Sequence, residues 1–544
     1  MEFNLAEVHE AVAGVIPDHE CIVWRDRRLT YTEVTERTRR LANYLIGRDL
    51  GIRKERSALA GWESGQSHVA LYLFNCNEYL EGMLGSFKAR VAPLNVNYRY
   101  VAEELLYLLR DARAEAIIYH AAMAPTLAAV LPELPGLTTL IQVADESGNA
   151  LLPGAVDYEA ALQSASADKP AVTPSPDDLY VLYTGGTTGM PKGVLWRQSD
   201  IYFAALGGSV PGYGEHESWE SILSMAGAGQ RVLPAPPFMH GAAHWVAFNS
   251  MNAGGTIVIQ DDTKKLDPDD IWSTIASEKV QALLIVGDAF ARPLLDQLEK
   301  KSYDLSSLML VASGGAVLNV GIKEEILDKL PDVMIYDGIG SSESGAQASN
   351  LSSKSTGTST GSFMPQPGNC VLSDDLTAVL APGHEGIGWF AKAGRVPLGY
   401  LGDRAKTERT FPTLDGVRYS VPGDRARHLE SGLIEVLGRD SVTINSGGEK
   451  IFAEEVEQAL KHHPAVYDVV VCGRPSERWG QEVVAVVALR GGVAASEKSL
   501  LDEAAKRLAR YKLPKAFVFR DEILRSPSGK ADYRWAKEQV AAPQ

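Results

Sequence analysis

Short apolar runs rich in β-branched and aromatic residues recur through the middle of this chain, with helical periods between them. DDLYVLYT, GGTIVIQ, VQALLIVGD and LMLVASGG are too short for helices, while PDDIWSTIASE, between the second and third, has helical spacing. Strands that alternate with helices bury both faces as a largely parallel sheet covered by helices, so the fold class is α/β. The alternation begins earlier. Thr30 is placed to cap a helix over 31–46 with Val34, Leu41 and Leu45 on one face, and SHVALYLFNC and KARVAPLNV read as buried strands flanking another helix. From about residue 370 the texture shifts to shorter strands and turns (VLAPGHEGIGWFAK, GVRYSVPGD), which marks a β-rich subdomain. After Gly438 and Arg439 a compact α+β module follows: helix AEEVEQALKHH, strands VYDVVVCG and EVVAVVAL, and helix KSLLDEAAKRLARY with Leu500, Ala504 and Leu508 at i+4 spacing. A chain of 544 residues exceeds what one core organises. The expected division is a large N-terminal domain of parallel-rich α/β subdomains plus the β-rich subdomain, 1–439, and a small mobile α+β C-terminal domain, 440–544.

The formal net charge of −16 argues against a nucleic-acid partner, whose phosphates it would repel. Four scattered cysteines (Cys21, Cys76, Cys370, Cys472) lack metal-ligand spacing and suit a reducing compartment. The start, MEFNLAEVHE, lacks a signal-peptide pattern, and no apolar run is long enough to be a transmembrane segment. The expected location is cytoplasmic. Oligomeric state is not readable, and a homodimer is compatible with the chain.

The segment YTGGTTGMPKGV, 183–194, lies between two of the apolar runs and reads as a loop joining two strands. Gly185, Gly186 and Gly189 let backbone N–H groups approach a phosphate closely. Thr184, Thr187 and Thr188 add hydroxyl donors, and Lys192 adds a cation. Pro191 stands where a Walker A loop needs glycine before its lysine, so this is a different phosphate loop, one suited to ATP.

Further motifs follow the loop in a fixed order. Together, from LTYTEV at Leu29 to SPSGK ending at Lys530, they resemble the adenylate-forming superfamily of acyl-CoA synthetases, luciferases and peptide-synthetase adenylation domains. The resemblance implies ATP, Mg²⁺ and CoA as co-substrates and cofactor, and a role for each matching residue. SGGA (Ser313, Gly314, Gly315, Ala316) matches an adenine-binding turn. Ile339, Gly340, Ser341, Ser342 and Glu343 match Tyr-Gly-x-Thr-Glu, with Glu343 on Mg²⁺, Ser342 on the α-phosphate, and Ile339 replacing the adenine-stacking tyrosine. Asp424, ending VPGD, matches the ribose-binding aspartate, and Arg439 the arginine before an interdomain hinge that falls at Ser441. Lys530, in SPSGKADY, matches the catalytic lysine, whose ammonium would bridge the attacking carboxylate and the α-phosphate.

PPFMHGAAHW, 236–245, matches the segment between acyl pocket and adenylate, with His240 near the reacting carboxylate. Amino-acid-activating relatives place an aspartate there to hold the substrate ammonium, and no acid occurs from Phe238 to Trp245. A buried unpaired ammonium would be costly, so the substrate is expected to be a plain carboxylic acid. Trp245, Phe290 and the turn around Gly314 are the expected pocket walls. The wording of YTGGTTG, WRQSDIY, GDAFARPL, IGSSESG and DYRWAKE is most similar to bacterial, actinobacterial-type fatty-acid and steroid-side-chain CoA ligases. For thioester formation the family rotates the C-terminal domain, bringing Ser446, Gly447, Gly448 and Glu449 to the adenylate in place of Lys530. An amine or a free-standing carrier protein remains the alternative acceptor.

Overall fold

The computed structural model describes residues 1–184, 190–210, 214–446, 449–476, 478–526 and 529–541. Helix Tyr31–Gly47 begins where the sequence predicts, with Thr30 and Glu33 forming a reciprocal capping box. Two sheets organise the N-terminal region. One is all parallel, in the order 92–95, 68–72, 116–120, 139–143, 155–157. The other runs parallel from Glu20–Trp24 through 256–259, 231–234, 282–285 and 310–314 to Met334–Ser341. It then continues as antiparallel strands, which are the β-rich subdomain.

Helix Asn77–Lys88 is buried along its whole length, although it carries Glu78 and Glu81. Each acid is paired: Arg27 donates to Glu78 at 2.5 Å, and Arg37 and Tyr158 donate to Glu81, each at 2.9 Å. Gly85 lets it approach helix Tyr31–Gly47, since a Cβ there would meet Leu41 at 2.7 Å.

The structure corrects two expectations. Strand Leu179–Thr184 is not part of a parallel sheet; it pairs antiparallel with Lys192–Arg197, which pairs with Gly399–Tyr400. The intervening loop is too short for the crossover that parallel strands need. In the C-terminal module the helix expected through KSLLDEAAKRLARY ends at Ala504. Lys506 and Arg507 bond back three residues, to Glu503 and Ala504, which tightens the turn while keeping Leu508 buried. The chain can then feed strand Ala516–Phe519, parallel to Gly480–Leu489.

Candidate active site

Four neighbouring strands of the larger parallel sheet, 231–234, 282–285, 310–314 and Met334–Ser341, point their carboxyl ends to one edge. In open α/β sheets that edge is where ligands bind. Here it carries, in the same order, His240, the segment 286–288, Gly314 and Glu343.

His240 is the N-cap of helix Gly241–Asn252, and its Nε2 is buried with no hydrogen-bond partner among the described residues. Burial, helped by the ammonium of Lys530 and by His244 and Arg99, depresses its pKa to about 3, so the imidazole is neutral at pH 7. Glu343 sits in the turn between strands Met334–Ser341 and Gly345–Ser352, where its Oε1 accepts from the Tyr400 hydroxyl at 2.8 Å. The turn is fixed by Trp196 Nε1 donating to the Ser342 carbonyl at 2.8 Å and by the Ser341 and Ser344 hydroxyls, 2.7 Å apart. Gly340 is required by the hairpin itself, since a Cβ would stand 2.4 Å from the Gly345 carbonyl oxygen.

Asp424 and Arg439 are cross-strand partners in the β-rich subdomain, with Arg439 Nε donating to Asp424 Oδ1 at 3.2 Å. Lys530 arrives from the C-terminal module on a turn closed by Ser526 N–H to the Lys530 carbonyl, 2.9 Å, and Gly529 N–H to the Ser526 carbonyl, 2.8 Å. Its pKa is lowered by burial in the cleft and by Arg439, against the opposing pull of Glu343 and Asp424. The side chain keeps an exposed flank, so water limits that lowering. The fold thus brings Lys530, Arg439, Asp424, Glu343 and His240 into one electrostatic neighbourhood.

Other sequence-chosen residues are placed as follows. Gly185, Gly186, Thr187, Thr188, Gly447 and Gly448 lie outside the described residues. Thr184 and Lys192 face each other as strand partners at the mouth of the glycine loop, and Lys192 Nζ lies 3.3 Å from Asp111 Oδ1. Burial works against the Lys192 charge, but Asp111 and Tyr107 outweigh it and raise the pKa. Ser313 is buried at the end of its strand with its hydroxyl accepting from Gly287 N–H at 3.1 Å, so its side chain serves the fold. Gly314 and Ala316 are half-buried, and Gly315, exposed, turns the chain at φ +89°. Ile339 packs partly against the core around Phe363 and Phe390. Ser441 is exposed on the short turn Asp440–Val442, and Ser446 and Glu449 pair across the hairpin that follows it.

Trp245 and Phe290 pack with different core clusters. Trp245 Nε1 donates to the Tyr180 hydroxyl at 2.8 Å, and Tyr180 in turn meets His244. Phe290 is packed in the core and edges a cavity of about 420 Å³ that Trp245 and Gly314 do not line. That cavity lies between the N-terminal region and the C-terminal module, lined by Tyr98, Lys264 and Arg292 on one side and Tyr467, Asp521 and Arg525 on the other. Asp111, Tyr400 and the Tyr180–His244 pair were missed by sequence reasoning. Each acts through a partner at least 57 residues away, and no local pattern marks it.

A parallel-sheet edge, a glycine-rich loop carried by a separate antiparallel sheet, a charged cleft and a lysine delivered from a second module are the combination expected of an adenylate-forming enzyme. The chain matches the AMP-binding enzyme family over residues 9–401 and the C-terminal domain of AMP-binding enzymes over 455–530, and it belongs to that family. It is 57% identical to a medium-chain acyl-CoA ligase of Mycobacterium avium, covering 99% of this chain and 98% of that one. It is 40% identical to a 3-oxocholest-4-en-26-oate–CoA ligase of Rhodococcus rhodochrous, over 99% and 96%. Its fold matches the crystal structure of an anthranilate CoA ligase in complex with anthranoyl-AMP, with TM-score 0.83 at 21% identity, over 100% of this chain and 98% of that one. The protein is an AMP-forming acid–thiol ligase.

Proposed function

We propose that this ligase joins a hydrophobic carboxylic acid, a medium-chain fatty acid or a steroid side-chain acid, to CoA in two half-reactions. In the first, a carboxylate oxygen attacks the α-phosphorus of ATP and pyrophosphate leaves. In the second, the CoA sulfur attacks the acyl carbon, the thiol proton is lost and AMP leaves. The observation that carries this reading is the convergence of Lys530 with Arg439, Asp424, Glu343 and His240. Lys530 offsets the repulsion between carboxylate and α-phosphate. Asp424, oriented by Arg439, accepts from the ribose hydroxyls. Neutral His240 offers a ring N–H to the acid without adding charge to the cleft. The names of the two relatives and the acid-free segment 238–245 support the choice of substrate.

Among the described residues no group of three or more His, Cys, Asp or Glu could hold a metal by itself. Glu343 offers a single carboxylate beside the cleft, which fits Mg²⁺ sharing phosphate oxygens with its nucleotide. When bound, the ion supplies charge neutralisation for the departing pyrophosphate. The domain boundary we propose is at 439/440, with Ser441 as the hinge about which the small domain turns between half-reactions. Among the described residues no helix is long and apolar enough to cross a membrane.

The test is pyrophosphate release from ATP and Mg²⁺ against fatty, aromatic and steroid carboxylic acids, with and without CoA, with products read by mass spectrometry. Acyl-CoA from medium-chain or steroid acids is the expected product. Acyl-adenylate that accumulates while CoA is unused would overturn the acceptor and point to an amine or a carrier protein.

A further inference from the structure

The seam between the two domains contains a buried charge cluster that the chemistry above does not use. Asp288 belongs to the large domain, in the first turn of helix Gly287–Leu298. Lys461 ends helix Ala453–Lys461 of the small domain. Lys461 Nζ lies 3.1 Å from Asp288 Oδ2, with only 7% and 6% of the two side chains exposed. The same ammonium is 3.5 Å from Asp468 Oδ1. Asp468 accepts from Arg525 Nε and Nη2, at 2.6 and 2.7 Å, and Arg525 Nη1 donates to the Gly529 carbonyl at 3.1 Å. One continuous chain of contacts therefore runs from Asp288 to the residue before Lys530. Two residues upstream of Asp288, Val286 packs directly against Gly529. A single short segment of the large domain thus touches the small domain at the lysine loop and at the charge cluster that supports it.

The partition of these groups matters. Lys461, Asp468 and Arg525 all belong to the small domain and would move together, whereas Asp288 stays behind. Asp288 keeps a second partner at home, since Asn319 donates to it through its backbone N–H at 2.9 Å and through its side-chain amide. Lys461 keeps Asp468. A buried ion pair normally resists opening because one charge is stranded. Here neither is, and both become hydrated when the domains part, so the contact can both form tightly and open.

We propose that Asp288 and Lys461 form a latch that holds the small domain where Lys530 faces the adenylation site, making Asp288 a positioning residue for adenylation alone. This rests on the two-half-reaction reading above. The latch biases one orientation and gives nothing to the thioester-forming one, so losing it shifts a population and leaves the chemistry of both sites intact. Asp288 acts through Lys461, Asp468 and Arg525 on the lysine loop.

The experiment compares wild type, Asp288→Asn, Lys461→Met, their double variant and Lys461→Arg in two separate assays with an acid that wild type activates. One is single-turnover acyl-adenylate formation; the other is transfer from preformed acyl-adenylate to CoA. Each single variant is expected to slow adenylation by about tenfold, with the double no slower than the worse single, as coupled partners behave. Transfer to CoA is expected to hold or rise, and Lys461→Arg to restore most of the adenylation rate. Equal losses in both assays, losses that multiply in the double, or unchanged adenylation would overturn the latch. Absence of acyl-adenylate from the wild type would overturn the function instead. Should Asp288→Asn not fold, the Lys461→Met and Lys461→Arg pair carries the same comparison.

Discussion

Replacing Gly529 by alanine puts a methyl group 3.0 Å from Val286 Cγ1 and 3.1 Å from the Val286 carbonyl oxygen. Gly529 also has φ +70°, where alanine is strained by roughly 1–2 kcal/mol. These two costs act differently. The backbone strain belongs to the small domain and is present in either orientation. The contact with Val286 exists only while the lysine loop is docked on the large domain. The side-chain methyl can rotate away, but the carbonyl lies just past the strand Ala282–Ile285 and cannot retreat cheaply. Overpacking of this kind costs about 1–3 kcal/mol. At about 1.4 kcal/mol per tenfold, the docked orientation should lose roughly 5- to 140-fold in population. Single-turnover acyl-adenylate formation should fall by that factor in Gly529→Ala, and transfer from preformed acyl-adenylate to CoA should change little. Adding Val286→Ala removes the methyl contact and leaves the carbonyl, so recovery should be partial. Wild-type adenylation in Gly529→Ala, or a parallel fall in both assays, would refute the reasoning.

Lys530→Ala should slow acyl-adenylate formation by about 10²–10³, the usual loss for one preorganised donor, and largely spare thioester formation; equal losses in both assays would remove Lys530 from its role. Ser441→Pro should spare adenylation and slow transfer to CoA, and unchanged rates in both assays would move the hinge elsewhere. Glu454 is half-buried against Gly438, its Oε2 enclosed with no partner among the described residues, and desolvation, with Glu457 nearby, raises its pKa to about 8. The folded protein therefore holds a proton that the unfolded chain releases above its ordinary value near 4.5, so this contribution to stability is present below that value and is lost as pH rises toward 8. Glu454→Gln should accordingly gain on wild type in denaturant midpoint from pH 5 to pH 8, and a constant difference would contradict the buried protonated acid.

Much of the fold was legible because its signals are local. The capping box at Thr30 and Glu33, the β-branched runs and the change of texture near residue 370 each depend on a few adjacent residues. The site residues were legible for another reason. They sit in short motifs whose order along the chain resembles one superfamily, and in the structure the charges of Arg439, Glu343 and Asp424 act on Lys530 and that of Lys530 on His240. Local signals misled where the chain's path decides. Leu179–Thr184 looks like any buried strand, and only the short return to Lys192–Arg197 makes it antiparallel. Leu500, Ala504 and Leu508 have helical spacing, yet the need to reach strand Ala516–Phe519 ends the helix early.

The sequence by itself determined the class of fold, and its motifs supply the residues that we propose for the reacting centre. Periodicity, caps and glycine placement act within a few residues and are fully written in the chain. Tertiary structure alone decided that Tyr400 holds Glu343, that Asp111 holds Lys192 and that Asp288 meets Lys461 across the seam. Those pairs are 57, 81 and 173 residues apart. The energy of such a pair depends on distance and burial, which no spacing in the sequence encodes and which arise only once separate elements have packed.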